Sequence, residues 1–324
     1  MTVDLLTLGE SMVSLRSAGP LSAGCSLGMH VAGAESNVAV GVARLGRSVA
    51  WAGVVGADPH GEFILRQLRS EGIAVQHRVD AARATGVMFL ERRTADISRA
   101  YYYRAGSAGS TISREDVDRA FAAGPRVLHL TGITAALSPD ARRAVEYAAA
   151  RGAAEGLVVS LDVNYRSKLW SRDEARAVLT PLARHASVLV ASDDELGLVA
   201  GSGAAGSGAA PEAAELAMAA ELLDRGVREV VVKRGAAGAG VHTAVGRWEA
   251  PAVPVTSIDT VGAGDAFTAG YLSALLDGGD VAARLKRGTL AGAFAVSTAG
   301  DCEGLPSAAE LALLDTAPDG STQR

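Results

Sequence analysis

From about residue 125 onward, short β-branched or apolar runs alternate with longer segments whose apolar residues recur at i, i+3 and i+4. That alternation is the pattern of βα units laid around a parallel sheet. Residues 127–130, 157–162, 188–191 and 229–233 are expected strands, and 138–151, 172–185 and 211–225 are the helices between them. The fold class is therefore α/β. In open sheets of this class ligands sit beyond the carboxyl ends of the strands, where Asp162, Asn164 and Lys233 fall.

The first third of the chain reads differently. Residues 85–91 and 98–104 are two extended runs joined by a polar turn at 94–96, and with 11–16 they make a small accessory sheet. We expect one domain spanning residues 1–324, with a lid built from about 11–35 and 76–108 and a frayed tail at 315–324. Helices at 37–45 and 63–71 belong to the main body.

Composition removes several classes of function. With 324 residues, 48% hydrophobic and 21% charged, the chain is an ordinary globular protein, neither disordered nor fibrous. Thirty-one Lys and Arg against 36 Asp and Glu give a net charge of −5, with no basic block to displace counterions, so nucleic acid is not an expected partner. No apolar stretch reaches the roughly 18 to 20 residues of a membrane span, and the N-terminal run lacks the pattern of an export signal. The two cysteines, Cys25 and Cys302, have no ligand-like spacing. The expected location is the cytoplasm. The glycine-rich run 201–210 contains a formal G-x-G-x-x-G, but a helix precedes it and Pro211 follows, which is the reverse of a dinucleotide fingerprint; a surface loop is expected.

The chemistry concentrates in residues 259–276, DTVGAGDAFTAGYLSALL. Gly262 and Gly264 strip side chains from a helix start, so the amides of Gly262, Ala263 and Gly264 can converge on a phosphate at the positive end of the helix dipole. Asp265 sits at the same mouth. It either caps the helix or takes a proton from an attacking hydroxyl. The helix that follows is apolar on every side and must run through the interior.

The run at 259–265 resembles the second signature of the ribokinase, or PfkB, family of carbohydrate kinases. Gly33-Ala34-Glu35-Ser36-Asn37-Val38-Ala39, then Ala43-Arg44-Leu45-Gly46 and Gly56-Ala57-Asp58-Pro59-His60-Gly61, resemble the first. The resemblance implies a three-layer ribokinase-like sandwich, with a central mostly parallel sheet and a small β-sheet lid. It also implies transfer of the ATP γ-phosphoryl group to a primary hydroxyl of a small sugar, with Mg2+ and possible assistance from K+. On this reading Asp265 is the general base, and the amides of Gly262, Ala263 and Gly264 stabilise the transferring group.

Within the family, Tyr101-Tyr102-Tyr103-Arg104 and Asp162-Val163-Asn164-Tyr165-Arg166 resemble motifs of the 2-keto-3-deoxygluconate kinases. Tyr102, Tyr103, Arg104 and Arg166 would contact the sugar, the two guanidiniums pairing with a carboxylate. Gly33, Ala34 and Asn37 would meet hydroxyls, though Asn37 could equally cap the helix it begins. Asp301 falls where those kinases place a substrate-contacting Asp. Asn164, Lys233, Gly235 and Gly238, together with Gly262 and Gly264, would hold the nucleotide. Glu195 would reach Mg2+ indirectly, and Asp259 would be either a monovalent-cation ligand or a turn residue. Met88, where a tyrosine is frequent, departs from the pattern. A neutral-sugar kinase, a 5-dehydro-2-deoxygluconokinase and a non-catalytic sugar binder stay open on the same residues. The lid's outer face could pair two copies into a homodimer.

Overall fold

In a computed structural model, which describes residues 2–94, 97–201 and 210–316, the expected alternation holds. The chain begins β1 (Leu5–Leu8), β2 (Met12–Ser17), β3 (Gly28–Ala32), α1 (Ala34–Arg44), β4 (Val49–Gly56), α2 (Pro59–Ser70), β5 (Ala74–Asp80), β6 (Val87–Arg92), β7 (Ser98–Tyr103) and α3 (Arg114–Phe121). It continues β8 (Val127–Thr131), α4 (Gly132–Leu137), α5 (Pro139–Ala154), β9 (Val158–Asp162), α6 (Arg172–Leu182), β10 (Val188–Ser192), α7 (Pro211–Asp224) and β11 (Glu229–Lys233). It closes with β12 (Ala239–Thr243), β13 (Gly246–Ala250), α8 (Ala263–Leu276), α9 (Val281–Val296) and α10 (Ala308–Thr316).

Nine strands form one sheet in the order β13-β12-β11-β10-β9-β8-β1-β4-β5, parallel from β5 to β11 and antiparallel only at β12 and β13. Its inner strands are buried on both faces, as parallel sheets require, while the edge strands β5 and β13 are largely exposed. Leu6, Leu8, Leu128, Leu161 and Val230 pack under α3, α5, α6 and α7, whereas Leu5, Trp51, Val127 and Val231 pack under α1, α2, α8 and α9. The layers are thus helix, sheet, helix. α8 is buried along nearly its whole length, as its all-round apolar sequence demands.

A separate four-stranded sheet, β3-β2-β6-β7, stands off the main one. Its extent differs from the sequence expectation in two ways. β5 is not part of it: Ala74–Asp80 pairs in parallel with β4 from Ala50 to Gly56, because α2 closes a βαβ unit that returns the chain to the main sheet. β3 was not foreseen, since its short run carries no alternation strong enough to read, yet it pairs antiparallel with β2 over five residues. α1 and α2 also begin earlier than their apolar periodicity suggests; Asp58 caps α2, accepting the Gly61 amide at 2.8 Å, with Pro59 at the first helical position. α10 runs two residues past the expected start of fraying. Residues 95–96 of the polar turn, 202–209 of the glycine-rich run and 317–324 of the tail lie outside the described residues. Among the described residues no helix is long and apolar enough to cross a membrane.

Candidate active site

α8 begins at Gly262, which takes the left-handed conformation at φ 76°. A Cβ there would come within 2.7 Å of the Asp301 carbonyl oxygen, so both the turn and the close approach demand glycine. Among the described residues the amides of Gly262 and Gly264 have no protein acceptor, and Ala263 makes only a long 3.4 Å contact to the Thr260 carbonyl. These donors sit at the positive end of a fourteen-residue helix, a ready anion site.

Asp265 is the third residue of α8, so it does not cap the helix. Its carboxylate instead accepts the Asn37 Nδ2 amide at 2.8 Å and the Asn164 Nδ2 amide at 3.3 Å. Burial pushes its pKa above the ordinary carboxylate range; the Asn37 hydrogen bond opposes that rise and the nearby Asp162 charge adds to it. Asn37 lies inside α1, whose cap position is Gly33, so it does not cap either; its buried Oδ1 has no partner. Asn164, assigned from the sequence to the nucleotide, faces the Asp265 carboxylate, with its backbone held at φ 40° and its amide on Asp162.

Lys233, at the end of β11, donates to Asp162 Oδ2 at 2.7 Å, and Thr268 of α8 donates to the same oxygen at 3.2 Å. Burial alone would lower the Lys233 pKa, but the charge and hydrogen bond of Asp162, together with the charges of Glu195 and Asp265, outweigh it, and the ammonium is held charged. Its Nζ lies 3.4 Å from the place a Cβ on Gly264 would occupy, which puts a fixed cation at the helix start. Asp162 is the residue that sequence reading placed at a strand end without giving it a role. The turn after Lys233 is closed by the Arg234 amide on the Gly238 carbonyl at 2.8 Å, with Gly235 and Gly238 both at positive φ.

On the other side of Asp265 lies a cleft of about 1140 Å³ between the two sheets. Gly33, Ala34, Asn37, Tyr102, Tyr103, Arg104, Arg166, Gly262, Asp265 and Asp301 all line it, as do Glu10, Glu35, Met88 and Lys168, which were not assigned from sequence. Lys233, Gly235 and Gly238 do not line it; of the three, Lys233 reaches the start of α8, at Gly264, while Gly238 packs against residues 250–252.

Several of these residues already have partners within the protein. Arg104 is not waiting for a ligand carboxylate: its Nε donates to Glu10 Oε2 at 2.7 Å in a buried ion pair. Among the described residues no carboxylate pairs with Arg166, whose Nη1 donates only to the Tyr165 carbonyl, at 3.1 Å. Asp301 pairs with Arg16 at 3.2 Å, and burial raises its pKa to about 7. Both Glu195 oxygens are taken by main-chain amides, Tyr165 at 2.7 Å and Ser192 at 2.9 Å, so its visible work is to hold two loops. Asp259 accepts the Val261 amide at 3.1 Å, the geometry of a turn residue.

A phosphate-ready helix start beside a buried carboxylate, facing a polar cleft at the carboxyl ends of parallel strands, agrees with what family comparison finds: the model of the pfkB family carbohydrate kinases matches residues 4–308. The chain belongs to that family. This PfkB kinase is 35% identical over 315 residues to the 2-dehydro-3-deoxygluconokinase of Thermoproteus tenax, covering 95% of this chain and 93% of the relative. Among solved structures it resembles a PfkB protein from Polaromonas sp. JS666, with a TM-score of 0.84, 35% identity and coverage of 96% and 99% of the two chains. It also resembles a candidate Ribokinase II from E. coli in complex with ATP and Mg2+, at a TM-score of 0.86, 25% identity and coverage of 97% and 99%.

Proposed function

We propose that this kinase transfers the γ-phosphoryl group of ATP to the 6-hydroxyl of 2-keto-3-deoxygluconate. Asp265 takes the hydroxyl proton as the sugar oxygen forms its bond to phosphorus, the bond from the γ-phosphorus to its bridging oxygen breaks, and ADP leaves. The observation that carries this reading is the pairing of a raised, buried carboxylate with the unoccupied amides of Gly262 and Gly264 at one helix start. Ala263 and Lys233 add donors to the same developing charge.

The orphaned Asn37 Oδ1 accepts a sugar hydroxyl on this reading, Gly33 and Ala34 let the ligand approach the backbone, and Arg166 receives the carboxylate. Tyr102, Tyr103, Arg104 and Asp301 complete the sugar side, while Gly235 and Gly238 shape the nucleotide turn. Among the described residues no group of three or more ligating side chains is gathered. Mg2+ would on this reading be carried in on phosphate oxygens and water, with Asp162, bonded to Lys233, and Glu195 the carboxylates on that side of the site. When bound, such an ion neutralises charge between the phosphates. Whether K+ assists through the Asp259 turn is decided by comparing turnover in potassium and tetramethylammonium buffers.

The small sheet acts as a lid on this reading. Lys168 of the main body already donates to the Ala100 carbonyl on β7 at 2.8 Å. A second groove on the lid is lined by Leu27, Phe89, Tyr101 and Tyr103, the two tyrosines also reaching the cleft, and we assign it to a homodimer contact; sedimentation at graded concentrations tests it. The function itself is tested by ADP release across 2-keto-3-deoxygluconate, 5-dehydro-2-deoxygluconate, fructose and ribose. Highest kcat/KM on a neutral sugar would overturn the assignment.

A further inference from the structure

The chain passes between the main body and the small sheet four times: from β1 to β2, from β3 to α1, into β6, and out of β7. All four passages meet at Glu10. It forms the first passage itself. A Cβ on Gly33, in the second, would lie 2.6 Å from the Glu10 carbonyl oxygen. A Cβ on Gly86, in the third, would lie 2.6 Å from Glu10 Oε1, and one on Gly109, past the fourth, would collide with its Cγ. From that fourth passage Arg104 and Ser107 donate to the two carboxylate oxygens.

The Glu10 side chain is 0% exposed, and its charge is matched by the Arg104 guanidinium alone among the described ion pairs. A buried charge is kept at such a point only if its partners satisfy it closely. The Nε and Nη2 edge of Arg104 is spent on Glu10, while its Nη1 makes no hydrogen bond among the described contacts and Arg104 lines the cleft.

We infer that Glu10 is a positioning residue: it aims the free edge of Arg104 at the sugar and ties that aim to the seating of the lid. The inference rests on the proposed contact between Arg104 and the sugar. It also divides the work of the cleft's cations, because the pair of Glu10 and Arg104 is neutral overall, which leaves Arg166, Lys168 and Arg172, none of them paired with a carboxylate among the described ion pairs, as the positive charge open to an acidic substrate.

The test is a double-mutant cycle with Glu10→Gln, Arg104→Met and both together, read as separate KM values for 2-keto-3-deoxygluconate and ATP. Glu10→Gln is expected to raise the sugar KM by roughly tenfold, the scale of one lost charge-assisted hydrogen bond, with the ATP KM unchanged. The double variant is expected to be no worse for the sugar than Arg104→Met alone. Additive effects, or equal rises in both KM values, would show that Glu10 only supports the fold. Ser107→Ala, which removes the buried hydrogen bond to the other oxygen of the same carboxylate, covers the case in which Glu10→Gln does not fold; it is expected to raise the sugar KM about threefold, and no change would overturn the inference. If Arg104→Met itself leaves the sugar KM untouched, the failure lies in the assignment of Arg104 to the sugar.

Discussion

Asn37 Nδ2 donates to Asp265 Oδ2 across 2.8 Å, joining the first turns of α1 and α8 although 228 positions separate the two residues. The bond brings the two family signatures together at one carboxylate. It also opposes the burial that raises that carboxyl's pKa, so Asn37 helps set the pH at which Asp265 can accept a proton.

Asp265→Asn keeps the shape of the site and removes the proton acceptor. Turnover is expected to fall by about 10²–10⁴-fold, with the KM values for sugar and ATP nearly unchanged. Steady-state kinetics check this, and near-normal kcat would take Asp265 out of the reaction.

The acid limb of the pH–rate profile follows from the same carboxyl. Activity requires the ionised form, so kcat/KM is expected to rise with pH through the elevated pKa of Asp265. Asn37→Leu removes the hydrogen bond that lowers this pKa, so the limb should move to higher pH. A limb that stays in place would assign it to another group.

Asp301 makes a stability prediction of its own. Burial raises its pKa from 3.8 to about 7, so the folded state favours the neutral acid. Its stabilising contribution is whole below the unfolded value and is lost as pH rises to about 7. Asp301→Asn stays neutral throughout; its Tm relative to the natural chain is expected to be higher at pH 7.5 than at pH 4.5. A pH-independent difference would contradict the burial argument.

Gly262→Ala forces a side chain into the left-handed region and against the Asp301 carbonyl. The conformational term alone costs about 1–2 kcal/mol. Thermal unfolding should report that loss, and kcat should fall more than the sugar KM rises because the displaced amides face the transferring group.

Arg166→Ala and Arg104→Ala separate the two guanidiniums. Arg166 has no carboxylate partner among the described residues, so its loss is expected to raise KM for an acidic sugar by at least tenfold and for a neutral sugar hardly at all, the scale of one charge-assisted pair. Arg104→Ala also leaves Glu10 buried without its counter-charge, so it should lower stability as well as affinity.

The α/β class, the strands from β8 to β11 and the glycine-lined helix start were legible in the order of residues, because each is governed by local rules: apolar periodicity, glycine at positive φ and amides left open at a helix terminus. The partner of Arg104, the contact of Asn164 with Asp265, the loop-holding role of Glu195 and the return of β5 to the main sheet were not. Those depend on groups far apart in the chain, 94 residues for Arg104 and Glu10 and 101 for Asn164 and Asp265. Only packing of the small sheet against the large one decides which carboxylate a buried guanidinium meets, since burial demands a counter-charge and local spacing does not say which one.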